Sequence, residues 1–174
     1  SYIVNREVFD YEFELAHKDL FQSLESISDM VFIDTESRGN ASSVQILEEA
    51  DLVVVNIDQD KEDWDDYFEN YASMLEKSVF LIGRYEKENP FNLELIQRQY
   101  HIPRGKMAVI PYNIDLHIAA NEGRMIPFLN RNYLKSSRAE NEYLMGEVKR
   151  AVIMLKENMT YLGKPDMMRR FGKN

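Results

Sequence analysis

The chain has 174 residues, of which 44% are hydrophobic and 29% charged, as in an ordinary globular domain. The net charge of −9 argues against direct nucleic-acid binding, because neutralising phosphates requires a basic face. The absence of cysteine excludes a disulfide scaffold and a thiolate zinc site, and it favours a reducing, cytoplasmic compartment.

Apolar runs of strand length alternate with segments of helical periodicity along most of the chain. The pattern predicts helices over residues 16–28, 42–50, 61–77, 92–100, 114–122 and 137–158, and strands over 30–34, 51–58, 78–85 and 106–112. Residues 2–4 and 8–13 give weaker strand signals. Strands separated by helices predict an α/β fold with a mostly parallel sheet flanked by helices on both faces. We expect one domain over residues 1–162, followed by a basic, partly apolar tail over residues 163–174.

The segment "MVFIDTESRG" (30–39) places Asp34 at the end of a predicted buried strand. Ligands of open parallel sheets lie beyond the carboxyl ends of the strands, where a carboxylate can hold a Mg²⁺–phosphate group. Aspartate also caps turns routinely, so the pattern is equally typical of a turn-capping residue.

A glycine-rich phosphate loop is missing from these residues. The Gly-Lys pairs are Gly105-Lys106 and Gly163-Lys164, and neither has the second upstream glycine or the following Ser/Thr that such a loop needs. No G-x-S-x-G motif is present for serine chemistry, and the three histidines show no metal-binding spacing.

The acidic stretch over residues 58–69 partly matches the ligand spacing of a calcium loop. However, Asp63 stands where the sharp turn of that loop requires glycine, and an apolar strand precedes the stretch. Acidic residues at the start of a helix complement the helix dipole, so we expect a helix N-terminus here.

The tail carries basic side chains interleaved with bulky apolar ones. This composition is typical of a short anchor on a membrane surface, or else of a solvated chain terminus. The residues that would contact the membrane are Met167, Met168, Arg169, Arg170 and Phe171.

Three segments together resemble the C-terminal half of the MinD/ParA family of deviant P-loop ATPases. They are "MVFIDTESRGN…ILEEADLVVVNID", "SVFLIGRY" and "GKMAVIPYNIDLHIAANEGRMIPFL", of which "VIPYNIDLHIAANEG" (109–123) is the most specific. The resemblance covers about residues 15–158 and lies in the order of elements more than in invariant letters. The family couples ATP binding to dimerisation and to membrane or DNA attachment, and so positions division machinery, plasmids, chromosomes, flagella or pili.

The resemblance implies roles for particular residues. Asp34 would be the Walker B aspartate that reaches Mg²⁺ through water. Pro111, Tyr112 and Asn113 would line the adenine of ATP, and Gly83-Arg84 would fall beside the base. The tail is similar to the membrane-targeting end of MinD proteins.

The sequence also departs from the family pattern. The first strand and the lysine-bearing Walker A loop have no counterpart. Thr-Glu-Ser-Arg-Gly follows Asp34 where many relatives have Pro-Pro-Gly or Pro-Ala-Gly, and Gly83 replaces an asparagine beside the base.

We therefore expect the C-terminal portion of a MinD/ParA-like ATPase involved in spatial positioning or partitioning. ATP and Mg²⁺ would be its cofactors in the intact protein, and ATP hydrolysis would require a missing N-terminal P-loop segment. Its partner would be that segment or a second copy of the chain, and its tail would contact the inner face of the membrane. Two alternatives remain: a degenerate, non-catalytic positioning module of the same family, and an unrelated doubly wound α/β binding protein.

Overall fold

The computed structural model describes residues 41–134 and 139–161, together with 19, 23–24, 26–28 and 30–35. The weak strand predictions near the start and the predicted membrane residues of the tail lie outside these ranges. The chain divides into two compact units between Ala50 and Asp51, and each unit is described by itself. The prediction of one domain over residues 1–162 stays a prediction.

In the first unit, one predicted helix is confirmed and one predicted strand is wrong. Helix α1 spans Ala41–Glu49, and the described residues of the predicted helix over 16–28 are helical up to Ile27. Residues 30–35 form no strand, and Phe32 is 83% exposed. An apolar run forms a strand only when a neighbouring strand supplies backbone hydrogen bonds, and all three strands of the described sheet come from the second unit.

The second unit is built on a parallel sheet of three strands in the order β1-β2-β3. The strands are β1 (Val53–Ile57), β2 (Ser78–Tyr85) and β3 (Met107–Pro111), as the sequence predicts. Val53 is paired with Ser78 and Phe80 with Met107, so the carboxyl ends of all three strands lie at the same edge.

The described residues of this unit form five helices. They are α2 (Lys61–Asn70), α3 (Leu93–Gln99), α4 (Ile114–Asn121), α5 (Met125–Leu134) and α6 (Ala139–Tyr161), with short 3-10 segments over Ala72–Lys77 and Arg104–Lys106. The helix predicted over 61–77 is interrupted at Tyr71, and the sequence pattern does not predict α5.

Alternate residues of β2 face two different layers of helix. On one face, Phe80 and Ile82 belong to a buried cluster with Trp64 of α2 and Ile96 of α3. On the other face, Val79 is buried with α6 residues such as Met154. The structure thus confirms an α/β sheet covered by helices on both faces.

Among the described residues, no helix combines the length and the apolar character that crossing a membrane requires.

Candidate functional site

An open cleft of about 420 Å³ lies beyond the carboxyl ends of β2 and β3. Its walls are residues 85–88 after β2, Pro111 and Tyr112 after β3, and Tyr143 of α6, and we call it the tyrosine cleft. The backbone N–H of Tyr112 donates to the carbonyl of Tyr85 at 3.1 Å, which joins the two strand ends. Open parallel sheets bind their ligands at this edge.

The three tyrosines of the cleft differ in exposure. Tyr85 is buried, and its hydroxyl oxygen accepts from the N–H of Leu93 at 3.3 Å. Tyr112 and Tyr143 are 52% and 48% exposed, so their rings are available to a ligand. The cleft therefore has one fixed tyrosine and two accessible ones.

Gln59, which lies just after β1, makes hydrogen bonds to the backbone of the loop after β2. Its side-chain N–H₂ donates to the carbonyls of Glu86 (3.1 Å) and Phe91 (3.0 Å), and its oxygen accepts from the N–H of Glu86 at 2.7 Å. Sequence reasoning missed this residue, because nothing local indicates a contact across 27 positions.

Gly83 and Arg84 pack against Asp58 at the end of β1. The Arg84 guanidinium pairs with the Asp58 carboxylate, and this hydrogen bond raises the pKa of Arg84. A Cβ on Gly83 would lie 2.9 Å from Asp58 Oδ1, so the close approach favours glycine. Gly83 and Arg84 thus lie next to the tyrosine cleft along β2, while the cleft itself starts at Tyr85.

Asn113 has two partners at the start of α4. Its side-chain oxygen accepts from the N–H of Leu116 at 2.8 Å, and its N–H₂ donates to Asn141 Oδ1 at 2.8 Å. Asn141 in turn donates to Asn132 Oδ1 (3.3 Å) and to Asp115 Oδ2 (3.4 Å). The predicted site residue Asn113 therefore caps a helix and belongs to a network of hydrogen-bonded amides with Asn141 and Asn132.

The charges of the cleft come from Glu86, Lys87 and Glu88, all exposed. Burial, followed by the carboxylate of Glu147, raises the pKa of Tyr143, so its hydroxyl stays neutral and able to donate. Aromatic faces beside two carboxylates and one ammonium suit a flat ring that carries an amine better than they suit a polyphosphate.

The structure places Asp34 in the first unit, exposed, in the segment that forms no strand. Within the described residues, no group of three or more His, Asp or Glu side chains lies close enough to hold a metal ion. The metal role of Asp34 stays a prediction. The helix N-terminus predicted in the acidic stretch over 58–69 is confirmed: Asp60 caps α2 and accepts from the N–H of Glu62 at 2.9 Å.

Comparisons of the chain with protein-family models, with curated proteins and with solved structures give no match. The resemblance to the MinD/ParA family therefore depends on the sequence pattern alone.

Proposed function

We propose that the tyrosine cleft is the adenine-side half of a nucleotide site, in the C-terminal part of a MinD/ParA-like ATPase that positions or partitions cellular cargo. One observation carries the proposal. Pro111 and Tyr112, which the family pattern assigns to adenine, line one cleft with the residues that directly follow Gly83-Arg84. The cleft lies at the edge of the sheet where α/β proteins bind nucleotides.

In this proposal the cleft holds the base and leaves the phosphates outside. Tyr112 and Tyr143 offer ring faces for stacking, and Glu86 and Glu88 offer acceptors for an exocyclic amine. The same carboxylates repel phosphate, so the polyphosphate would extend away from them.

Residues outside the cleft would hold the phosphates and the metal. The 174 residues contain no glycine-rich loop for the phosphates, and Asp34 stays the residue that the family pattern assigns to Mg²⁺ and its water. The chain by itself would bind the base and would not hydrolyse ATP. The same proposal includes three further points. The chain would associate with itself or with a P-loop segment, it would be cytoplasmic, and its tail would contact the membrane.

The first test is an NMR titration of the full chain with adenosine, AMP and ATP. A site that holds only the base predicts dissociation constants on the order of 0.1–1 mM that differ by less than about threefold across the series. Affinity that rises steeply with each added phosphate would show that phosphates are the anchor, and absence of adenosine binding would also contradict the proposal.

The second test compares two exposed tyrosines of the same unit. Tyr112→Ala removes a cleft ring and should weaken adenosine binding by about tenfold, since stacking of a base on an aromatic ring contributes about 1–3 kcal/mol. Tyr133→Ala is the matched control, because Tyr133 is a similarly exposed tyrosine on α5 that does not line the cleft. Its ring centroid lies 5.3 Å from Lys149 Nζ. Equal effects of the two substitutions would refute the location of the site.

A further inference from the structure

A buried amide network connects the two accessible walls of the tyrosine cleft. Tyr112 directly precedes Asn113, and Tyr143 follows Asn141 by two residues. The 2.8 Å hydrogen bond between Asn113 and Asn141 therefore joins the turn that carries one ring to the helix that carries the other.

We propose that Asn141 is a positioning residue that sets the separation of the Tyr112 and Tyr143 rings, and so the width of the cleft. Its consequence for ligand affinity rests on the proposed function, whereas its consequence for ring placement does not. Asn141 itself lines no part of the cleft and acts through Asn113.

The burial of Asn141 shows why an amide is needed there. Its side chain is 2% exposed, yet its oxygen accepts one hydrogen bond and its N–H₂ donates two. Among the described residues no buried side-chain nitrogen or oxygen lacks a partner, so the network is complete. A complete network in a low-dielectric interior fixes one arrangement of the elements it joins, because any shift leaves a buried polar group unpaired.

The hydrogen bond between Asn141 and Asn132 provides a matched control. Asn132 of α5 is also buried, accepts from Asn141 at 3.3 Å and donates to the carbonyl of Phe128 at 2.9 Å. It does not line the cleft, and the two hydrogen bonds of the Asn113 side chain go to Asn141 and Leu116 instead. Removing the Asn132 amide should therefore disturb α5 and α6 while leaving the Asn113–Asn141 bond in place.

The experiment compares Asn141→Ala with Asn132→Ala in the full chain labelled with 3-fluorotyrosine. Both substitutions should lower the urea midpoint, because each leaves buried amide groups unpaired. Only Asn141→Ala should shift the ¹⁹F resonances of Tyr112 and Tyr143, assigned by single Tyr→Phe substitutions. Only Asn141→Ala should weaken adenosine binding, by about tenfold.

A third variant keeps the test decisive if Asn141→Ala fails to fold. Asn113→Ser retains a side chain that caps α4 but is too short to reach Asn141. It should give the same ¹⁹F shifts with a smaller loss of stability.

The outcomes separate the two proposals. Equal ¹⁹F shifts in the Asn141 and Asn132 variants, or unchanged resonances in both the Asn141 and Asn113 variants, would overturn the positioning role. Selective ¹⁹F shifts in a protein that binds no adenosine would support the positioning role and refute the proposed function. Selective shifts together with selective loss of adenosine affinity would support both.

Discussion

Trp64→Phe tests how the carboxyl end of β1 is held next to the cleft. Trp64 is fully buried, and its ring centroid lies 5.3 Å from that of Phe80 and 5.5 Å from that of Tyr100. The indole N–H donates to the carbonyl of Asp58 at 2.9 Å, directly after the strand. Phenylalanine keeps an aromatic ring there but removes this donor and part of the ring volume.

We expect Trp64→Phe to lower the free energy of unfolding by about 2–4 kcal/mol, because the lost hydrogen bond and the residual cavity act together. Tyr100→Phe provides the control within the same aromatic stack. It removes a hydroxyl that donates to Asp65 Oδ1 (2.7 Å) and accepts from Gln99 Nε2 (3.2 Å). Both hydrogen bonds are exposed, so the cost should stay below about 1 kcal/mol.

The assay is urea unfolding of the full-length protein and both variants, followed by far-UV circular dichroism because Trp64 is the sole tryptophan. The urea midpoint should fall while the slope of the transition stays unchanged. A cost for Trp64→Phe no greater than that for Tyr100→Phe would refute the reasoning, since the indole would then contribute nothing beyond a generic aromatic ring.

Three further predictions concern polar groups. Ser78→Ala should cost about 1–2 kcal/mol in the same urea assay, because it removes the 2.8 Å partner of the Tyr67 hydroxyl and a second hydrogen bond to backbone. Burial raises the pKa of both Tyr67 and Tyr100 above the usual 10.0. Above about pH 10 the unfolded chain therefore releases protons from these two tyrosines that the folded chain retains, so their contribution to stability should be constant well below that pH and fall above it. Unfolding measured from pH 8 to 11 should show a smaller fall for Tyr100→Phe, and an equal fall would contradict this. Asn141→Asp places a carboxylate against Asp115, which should raise the pKa of the introduced group. Its thermal stability relative to wild type should recover as the pH falls from 7 to 5, whereas a further loss at pH 5 would contradict the geometry.

Strong local patterns predicted the sheet and several helices, and failed where tertiary partners decide the outcome. The strand over Ser78–Tyr85 is predicted at both ends, because its apolar run is buried on both faces of the sheet. The run over 30–34 has the same signature without a strand partner. The apolar pattern alone cannot distinguish these two cases.

The candidate site likewise contains some residues that the sequence predicts and others that it does not. The resemblance assigns five residues to an adenine site; Pro111 and Tyr112 line the cleft, whereas Gly83, Arg84 and Asn113 do not, and the role toward adenine stays a prediction. Tyr143, Gln59 and Asn141 were missed. Gln59 and Asn141 make hydrogen bonds across 27 and 28 positions of the sequence, and Tyr143 lines the cleft with residues 85–88 and 111–112. Such contacts leave no periodic signal in a single chain.

The most direct test of the central claim is photolabelling of the full chain with 8-azidoadenosine, followed by mass spectrometry of its peptides. We predict that the label attaches to peptides containing Tyr112 or Tyr143 and that excess adenosine suppresses it. Two results would contradict a base site in the tyrosine cleft. One is labelling that excess adenosine leaves unchanged, and the other is labelling concentrated at Gly105 and Lys106, which precede the amino end of β3.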